Sequence, residues 1–254
     1  SESPRPQGFT LVGDQNFAHC NYHFLQPENR RDVDGHPPSH PDYDDKTLYV
    51  PKAFLDSQTP ALRQWWLIKQ KNMDAILLFK MGKFYELFNE DAVIAVNELD
   101  IIFMKSEEGR PAHAGFPESS YSKYSTILVN KGYRVLRIEQ TETPEMMEER
   151  IQITGQRGKF DKVVKREICQ ATTRGTQMMS VNDSVFHSAQ NQYLLAICES
   201  TSELIDDCKR RVKSYGVCFT DVTTSKLYIG QFADDNNLSD LNILLAHHTP
   251  TEVL

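Results

Sequence analysis

The sequence predicts an α/β fold, in which a mixed β-sheet flanked by helices is followed by a second α/β unit. Apolar, strand-like runs alternate along the chain with segments whose apolar residues recur at helical spacing. A capping residue followed by proline, which is typical of a helix start, occurs at Thr59-Pro60 and Thr143-Pro144. The 254 residues, 39% of them hydrophobic, are enough to bury one large or two ordinary cores.

Residues 1–56 are predicted to be an extended polar linker or an arm wrapped around a domain. This segment is rich in Pro, Asp, Asn and His and has little periodicity. Closely spaced prolines between Gly35 and Pro41 remove backbone donors and restrict the residues before them, which excludes a regular element there. His19-Cys20 with His23 lacks the second half of a metal-ligand pattern, so we expect ordinary packing.

Residues 57–176 are predicted to form the first domain. The tryptophans Trp65 and Trp66 fall on the apolar stripe of its first helix, which indicates a core position. The predicted elements are a helix from Ser57 or Thr59, strands at 75–80 and 84–88, a helix from Asn89 or Asp91, a strand at 101–104, a helix from Ser119 or Ser120 to Lys131, a strand at 133–140, a helix from Thr143 towards Gln152, and a strand at 162–170.

Residues 177–189 are predicted to be a linker, and residues 190–254 a second domain. Its expected elements are strands at 193–198, 215–219 and 226–232, a hairpin turn at 221–225, a helix at 237–247 and the start of a further strand at Thr251. This pattern predicts an α/β domain that is truncated on its C-terminal side.

The segment Lys80-Met81-Gly82-Lys83-Phe84-Tyr85-Glu86-Leu87-Phe88 carries the main functional prediction. In an extended strand, Phe84 and Glu86 point to one face and Tyr85 to the other. An aromatic ring at a strand tip can enter a base stack and kink the duplex at a weak step. A carboxylate facing DNA needs a specific partner, such as the edge of a displaced base, and Lys80 and Lys83 can offset its charge. Taken alone, the same apolar run is also typical of a buried sheet.

This segment and its flanks resemble the MutS family of DNA mismatch repair proteins. Similar segments follow in the family order at 75–80, 89–92, 112–117 and 132–141. The runs from His40 to Trp66 and from Glu139 to Glu148 are similar to the mismatch-recognition subunits of eukaryotic members. The resemblance implies that residues 57–176 are a mismatch-binding domain and that residues 190–254 belong to a ribonuclease H-like connector domain.

The resemblance also implies how the chain acts. Phe84 would stack on a mispaired base while Glu86 hydrogen-bonds that base. The chain would be the reading half of a nuclear heterodimer with a second MutS homologue, and it would bind double-stranded DNA with mismatches or small loops. ATP and Mg²⁺ would bind beyond Leu254, so this chain itself is expected to hold no cofactor and to be no enzyme. The residues expected to contact the DNA backbone or support the wedge are Lys80, Met81, Gly82, Lys83, Tyr85, Lys105, Arg110, His113 and Lys123.

Charge and motifs leave two alternative functions open. The net charge of −7 is unusual for a nucleic-acid-binding protein, although the acidic balance is strong in the first fifty residues. An acidic chain suits a protein-docking module without a nucleic-acid role. A metal-dependent nuclease of ribonuclease H type is the other alternative, with Asp221 as one ligand.

Several common motifs are absent from the sequence. The nucleotide-binding pattern Gly-x-x-x-x-Gly-Lys-Ser/Thr does not occur, and five scattered cysteines indicate neither a disulfide framework nor a zinc site. No apolar run approaches the length of a membrane span, so no membrane partner is expected.

Overall fold

The structure is a computed structural model, which describes residues 17–104, 110–176, 193–200, 204–205, 211–221, 226–235 and 237–254. The chain divides into two compact units, residues 1–171 and residues 172–254. Both units combine helices with a mixed sheet, which confirms the predicted α/β class. Within the described residues, no helix has both the length and the apolar character that crossing a membrane requires.

The first unit is built on a five-stranded mixed sheet. In spatial order the strands are β3 (His113–Pro117), β2 (Phe84–Phe88), β1 (Ala75–Met81), β4 (Arg134–Gln140) and β5 (Arg166–Thr172). Strand β2 is antiparallel to both of its neighbours, β3 and β1, whereas β1 and β4 run parallel.

The helices of this unit begin at the predicted caps in two cases. The hydroxyl of Thr59 accepts a hydrogen bond from the Leu62 amide, and that of Thr143 accepts one from the Met146 amide. Asn89 and Ser120 precede helices as predicted but make no side-chain cap. The helices are α1 (Lys52–Ser57), α2 (Pro60–Lys69), α3 (Glu90–Leu99), α4 (Tyr121–Asn130) and α5 (Pro144–Thr154), with short 3-10 turns at Ala18–Asn21, His23–Leu25 and Glu118–Ser120.

The sheet separates two hydrophobic cores, because alternate residues of its strands point to opposite faces. On one face Leu78, Tyr85 and Leu87 pack with side chains of α3 and α4. On the other face Phe79 and Phe88 pack with α2 and with the segment that precedes it. Trp65 and Trp66 are buried in this second core, which confirms the core positions predicted for them.

The segment before α1 packs against the sheet. Four of its apolar side chains are buried, and Asp32 organises the proline-rich part by accepting hydrogen bonds from the backbone amides of His36 (2.7 Å) and Asp44 (3.2 Å). Burial acts to raise the pKa of Asp32, but these hydrogen bonds hold it at about 2. The buried apolar residues of this segment are Phe17, Phe24, Leu48 and Val50.

Two predicted strands differ from the structure. The strand predicted at 101–104 is wrong, since it is reduced to one bridge between Phe103 and Ala114, and Ile102 is 85% exposed. Ala114 lies in β3, which we did not predict, and β3 takes the edge position beside β2. The strand predicted at 162–170 begins only at Arg166, because the carbonyls before it accept hydrogen bonds from the Arg150 side chain. The helix α1 was also not predicted.

In the described residues of the second unit there are a five-stranded sheet and one helix. The predicted strands are present, and β8 and β9 pair from Lys213↔Asp234 to Asp221↔Lys226. Residues 222–225 and the predicted linker 177–189 lie outside the described residues. A ribonuclease H-type assignment for this unit stays a prediction. The elements are β6 (Tyr193–Glu199), β7 (Leu204–Ile205), β8 (Arg211–Asp221), β9 (Lys226–Asp234), α6 (Ser239–His247) and β10 (Pro250–Val253), and the order is β10-β6-β8-β7 with β9 paired to β8.

Candidate nucleic-acid interface

The hairpin of β1 and β2 places Phe84 directly beside a turn. Met81 and Phe84 are the last paired residues, so Gly82 and Lys83 form a two-residue loop. Gly82 has a φ of +60°, which glycine adopts without the cost that a side chain adds. Glycine at the first loop position is the requirement of a type II′ hairpin turn. The turn therefore places the first residue of β2 at the end of the sheet.

The ring of Phe84 is the exposed aromatic side chain of this hairpin. It is 40% exposed, whereas the neighbouring Tyr85 and the facing strand residues Leu78 and Phe79 are completely buried. This confirms the expected exposure of Phe84 and the inward position of Leu78 and Phe79. Because the rest of the hairpin is anchored in both cores, the ring is presented on a rigid support.

Glu86 shares the strand face of Phe84 and lies in a pocket of specific contacts. It pairs in register with Phe79 on β1 and with Gly115 on β3. Its Oε2 atom lies 2.9 Å from Nε2 of His113, whose ring stacks on Phe88 with centroids 4.7 Å apart. A Cβ atom at Gly115 would make an ordinary contact with Cγ of Glu86 at 3.5 Å but would lie 3.0 Å from the Tyr85 carbonyl oxygen, so the glycine permits the close approach of β3 to β2.

Arg166 supplies a buried cation behind the hairpin. Its Nε donates to the carbonyl of Lys80 at 2.7 Å, and its guanidinium lies 5.2 Å from the centre of the Phe79 ring. Burial lowers the pKa of Arg166, and the carboxylate of Glu86 acts in the opposite direction. The sequence analysis did not find this residue, because it is 86 positions away from Lys80 and no local pattern connects them.

Lys80 lies on the other face of the hairpin from Glu86. It forms an ion pair with Glu118, which lowers the pKa of that carboxyl, and its ammonium lies 4.9 Å from the centre of the Tyr85 ring. The amide of Glu118 donates to the carbonyl of Lys83 at 2.9 Å. Lys80 therefore anchors the turn from the face opposite Glu86, and its expected role in offsetting the charge of that carboxylate stays a prediction.

A hydrogen-bonded cluster fixes Tyr85, the residue that follows Phe84 on β2. The Tyr85 hydroxyl donates to Glu139, and Nε of Arg137 donates both to the Tyr85 hydroxyl (2.9 Å) and to Glu139 (2.6 Å). Burial raises the pKa of Tyr85, with the carboxylate of Glu139 acting in the same direction. This cluster connects β2 to β4 across β1 and holds the strand that carries Phe84.

The other predicted basic residues are not all brought to the turn. Lys83 is exposed within it, and Lys123 lies in the first turn of α4, 5.0 Å from the centre of the Tyr124 ring. Arg110 precedes β3, and since β3 is antiparallel to β2, Arg110 lies at the Phe88 end of the hairpin. Lys105 lies outside the described residues.

The alternative sites gain no support from the described residues. Among them, no group of three or more His, Cys, Asp or Glu residues lies close enough to hold a metal ion. Asp221 is buried, and the carboxylate of Glu199 is engaged by Lys213 and Tyr215. At Gly155–Lys159 the amide of Gly158 donates to the Asp161 carboxylate at 2.9 Å, so this segment does not fit a nucleotide phosphate.

These features define an α/β domain in which one hairpin presents an exposed aromatic residue, Phe84, and a carboxylate, Glu86, that is hydrogen-bonded to His113. The family described as "MutS domain I" matches residues 59–181, which include this hairpin. The chain belongs to the MutS family.

Curated relatives carry names of the same family. The "DNA mismatch repair protein Msh6" of Gallus gallus is 48% identical over 95% of this chain, and that of Homo sapiens is 47% identical over 93%. The "DNA mismatch repair protein MutS" of Methanosarcina acetivorans is 32% identical over 77% of the chain. The matched regions cover 18%, 17% and 20% of these relatives, so the chain spans about a fifth of their length.

Proposed function

We propose that this chain recognises mismatched or looped double-stranded DNA as the reading part of a MutS-type mismatch repair protein. The observation that carries the proposal is the exposed Phe84 ring on a rigid hairpin, with Glu86 two positions along the same face. Phe84 stacks on a mispaired base, and the duplex kinks at that step. Badly paired bases cost less to unstack, so selectivity arises without a fixed base sequence.

Glu86 gives the interaction its polar part. Its Oε2 atom is held by His113, and from the described residues its Oε1 atom accepts no hydrogen bond. This oxygen accepts a hydrogen bond from the displaced base in our proposal. The buried Arg166 partly compensates the carboxylate that faces the phosphates, and Lys83 contributes attraction that is independent of base sequence.

The wider assembly is proposed from the family. We propose that the chain acts in the nucleus, in a heterodimer with a second MutS homologue. ATP and Mg²⁺ belong to the full-length protein in this proposal. Residues 155–159 do not offer a phosphate loop, because the nucleotide-binding pattern is absent from the sequence and the Gly158 amide donates to the Asp161 carboxylate. No step of recognition described above depends on either group.

Replacing Phe84 tests the proposal. In the full-length protein with its partner, Phe84→Ala removes one base-stacking contact, which is worth about 1–3 kcal/mol per base in proteins that bind single strands. Affinity for a G·T mismatch should fall by the corresponding factor of about 5 to 150, with little change for fully paired DNA. Fluorescence anisotropy on both duplexes measures the two affinities.

Ile153→Ala provides the matched control, since Ile153 is a 77% exposed apolar residue on α5. It should leave both affinities unchanged. Equal losses on paired and mismatched duplexes for Phe84→Ala contradict the assignment of Phe84 as the wedge.

A further inference from the structure

The contact between His113 and Glu86 connects two strands that are adjacent in the sheet but far apart in sequence. His113 opens β3, Glu86 is in the middle of β2, and their Nε2 and Oε2 atoms are 2.9 Å apart. An ionised carboxylate only accepts hydrogen bonds, so Nε2 of His113 is the donor. The contact is partly shielded, since the side chain of Glu86 is 18% exposed and that of His113 is 32% exposed.

The surroundings restrict both partners to this arrangement. The His113 ring is almost parallel to the Phe88 ring, with an interplanar angle of 14°, which limits rotation of the imidazole. The Glu86 side chain is largely shielded, since it is 18% exposed, and Gly115 lies directly across from it on β3. The carboxylate is thus fixed with one oxygen towards His113 and the other without a hydrogen bond from any described residue.

We propose that His113 is a positioning residue for mismatch selectivity, which acts by holding the Glu86 carboxylate so that Oε1 faces the displaced base. The inference rests on the proposed function. It adds His113, on β3, to Phe84 and Glu86 on β2 as a residue that contributes to recognition. Without His113 the carboxylate gains rotational freedom, and ordering it again when DNA binds reduces the affinity for mismatched DNA.

The position of the charge supports this role. Arg166, on β5, interacts electrostatically with Glu86 but directs its Nε to the Lys80 carbonyl and its other nitrogens to Val164 and to the Met81 sulfur. Arg166 therefore compensates charge without fixing the orientation of the carboxylate. Among the described residues, the hydrogen bond to the Glu86 side chain comes from His113, so the orientation of the carboxylate depends on the histidine.

A double-mutant cycle on the full-length protein with its partner tests the inference. Anisotropy titrations give the affinities of wild type, His113→Ala, Glu86→Ala and the double variant for G·T and fully paired duplexes. We expect His113→Ala to weaken G·T binding severalfold, up to about tenfold, which is the entropic cost of ordering one side chain when the DNA binds, and to leave paired DNA unchanged. In the Glu86→Ala background, the same change should have no further effect, because contacting residues that act together are not additive.

Two further variants separate positioning from general stability. His113→Gln retains an N–H donor and should restore most of the G·T preference, and it serves as the second variant if His113→Ala folds poorly. His247→Ala, at an exposed histidine on α6, is the matched control and should match wild type. Thermal unfolding of each variant shows whether its fold is retained.

The measurements distinguish failure of the proposed function from failure of the positioning role of His113. If wild type shows no preference for G·T DNA, the proposed function itself fails. If wild type shows the preference but His113→Ala keeps it, the inference fails and the function stands. Equal loss on both duplexes, or a loss of the same size that persists in the Glu86→Ala background, also overturns the positioning role.

Discussion

At the scale of single residues, the proposed recognition depends on side chains whose neighbours leave them little freedom. Phe84 is exposed, but the residue after it, Tyr85, is buried and hydrogen-bonded, and the turn before it depends on the positive φ of Gly82. Glu86 is held by His113. Such preorganisation lowers the entropy that is lost when a ligand binds. The sequence predicted Phe84 and Glu86 because both belong to one short motif, whereas the contacts that hold them come from other strands.

Replacing Gly115 tests whether the close approach of β3 to the Tyr85 backbone constrains the protein. A Cβ atom there would lie 3.0 Å from the carbonyl oxygen of Tyr85, in a central strand that is hydrogen-bonded on both sides. Since this backbone has little room to move, Gly115→Ala should destabilise the protein by about 1–3 kcal/mol, the usual cost of overpacking. Urea denaturation measures the change.

Gly216→Ala is the matched control for Gly115→Ala. Gly216 is also in a strand, but an added Cβ would meet its nearest atom, the Cys198 carbonyl oxygen, only at 3.9 Å. We expect stability to stay close to that of wild type. If Gly115→Ala is as stable as Gly216→Ala, the close approach of β3 to Tyr85 is not a constraint.

At the scale of elements, the sequence predicted the helix starts and strands that short residue patterns determine. Thr59 and Thr143 cap their helices, and the apolar runs of β1 and β4 form adjacent parallel strands in the sheet. Edge strand β3 was missed because His113–Pro117 is short and contains glycine and proline, which do not favour strands. Buried pairs were missed too: Lys69 on α2 donates to Asp91 on α3 at 2.7 Å, and nothing local connects them.

Asp32 makes the segment before α1 sensitive to acid. Its pKa is lowered from 3.8 to about 2 in the folded protein, so its contribution to stability is fully present above the unfolded value. That contribution is lost as the pH falls from about 4 to about 2. Asp32→Asn should therefore be less stable than wild type at neutral pH, with a difference that narrows across this window. Circular dichroism melts between pH 2 and 7, roughly spanning the two pKa values, measure it.

Asp34→Asn is the control for the acid response. Asp34 is exposed in the same loop, and its replacement should leave the melting temperature close to that of wild type at every pH. If the gap between wild type and Asp32→Asn is constant across the range, the carboxylate of Asp32 is not the group whose protonation loosens this segment.

At the scale of the whole molecule, charge is divided along the chain. The net charge of −7 opposes DNA binding, and much of the acidic excess lies in the first fifty residues. Around the turn, Lys80 and Arg137 are engaged with Glu118 and Glu139, which removes them from direct competition for phosphate. The basic face that sequence counting suggested is therefore smaller than the number of lysines and arginines implies, because ion pairs between distant residues cannot be seen in composition.

Lys83 is then the basic residue of the turn from which a phosphate contact is most expected. It is exposed beside Phe84, its backbone carbonyl accepts a hydrogen bond from the Glu118 amide, and its charge helps to lower the pKa of the Glu118 carboxyl. One lost phosphate contact reduces the slope of log affinity against log salt by about 1, equally for paired and mismatched duplexes. Lys83→Ala should show this change with the preference for mismatched DNA retained. Lys71→Ala, an exposed lysine before β1 at the end away from the turn, should keep the wild-type slope. Titrations from about 50 to 200 mM salt, the range over which such contacts change affinity strongly, decide the matter. A Lys83→Ala protein that loses only its preference, with the slope unchanged, would place Lys83 in base recognition instead.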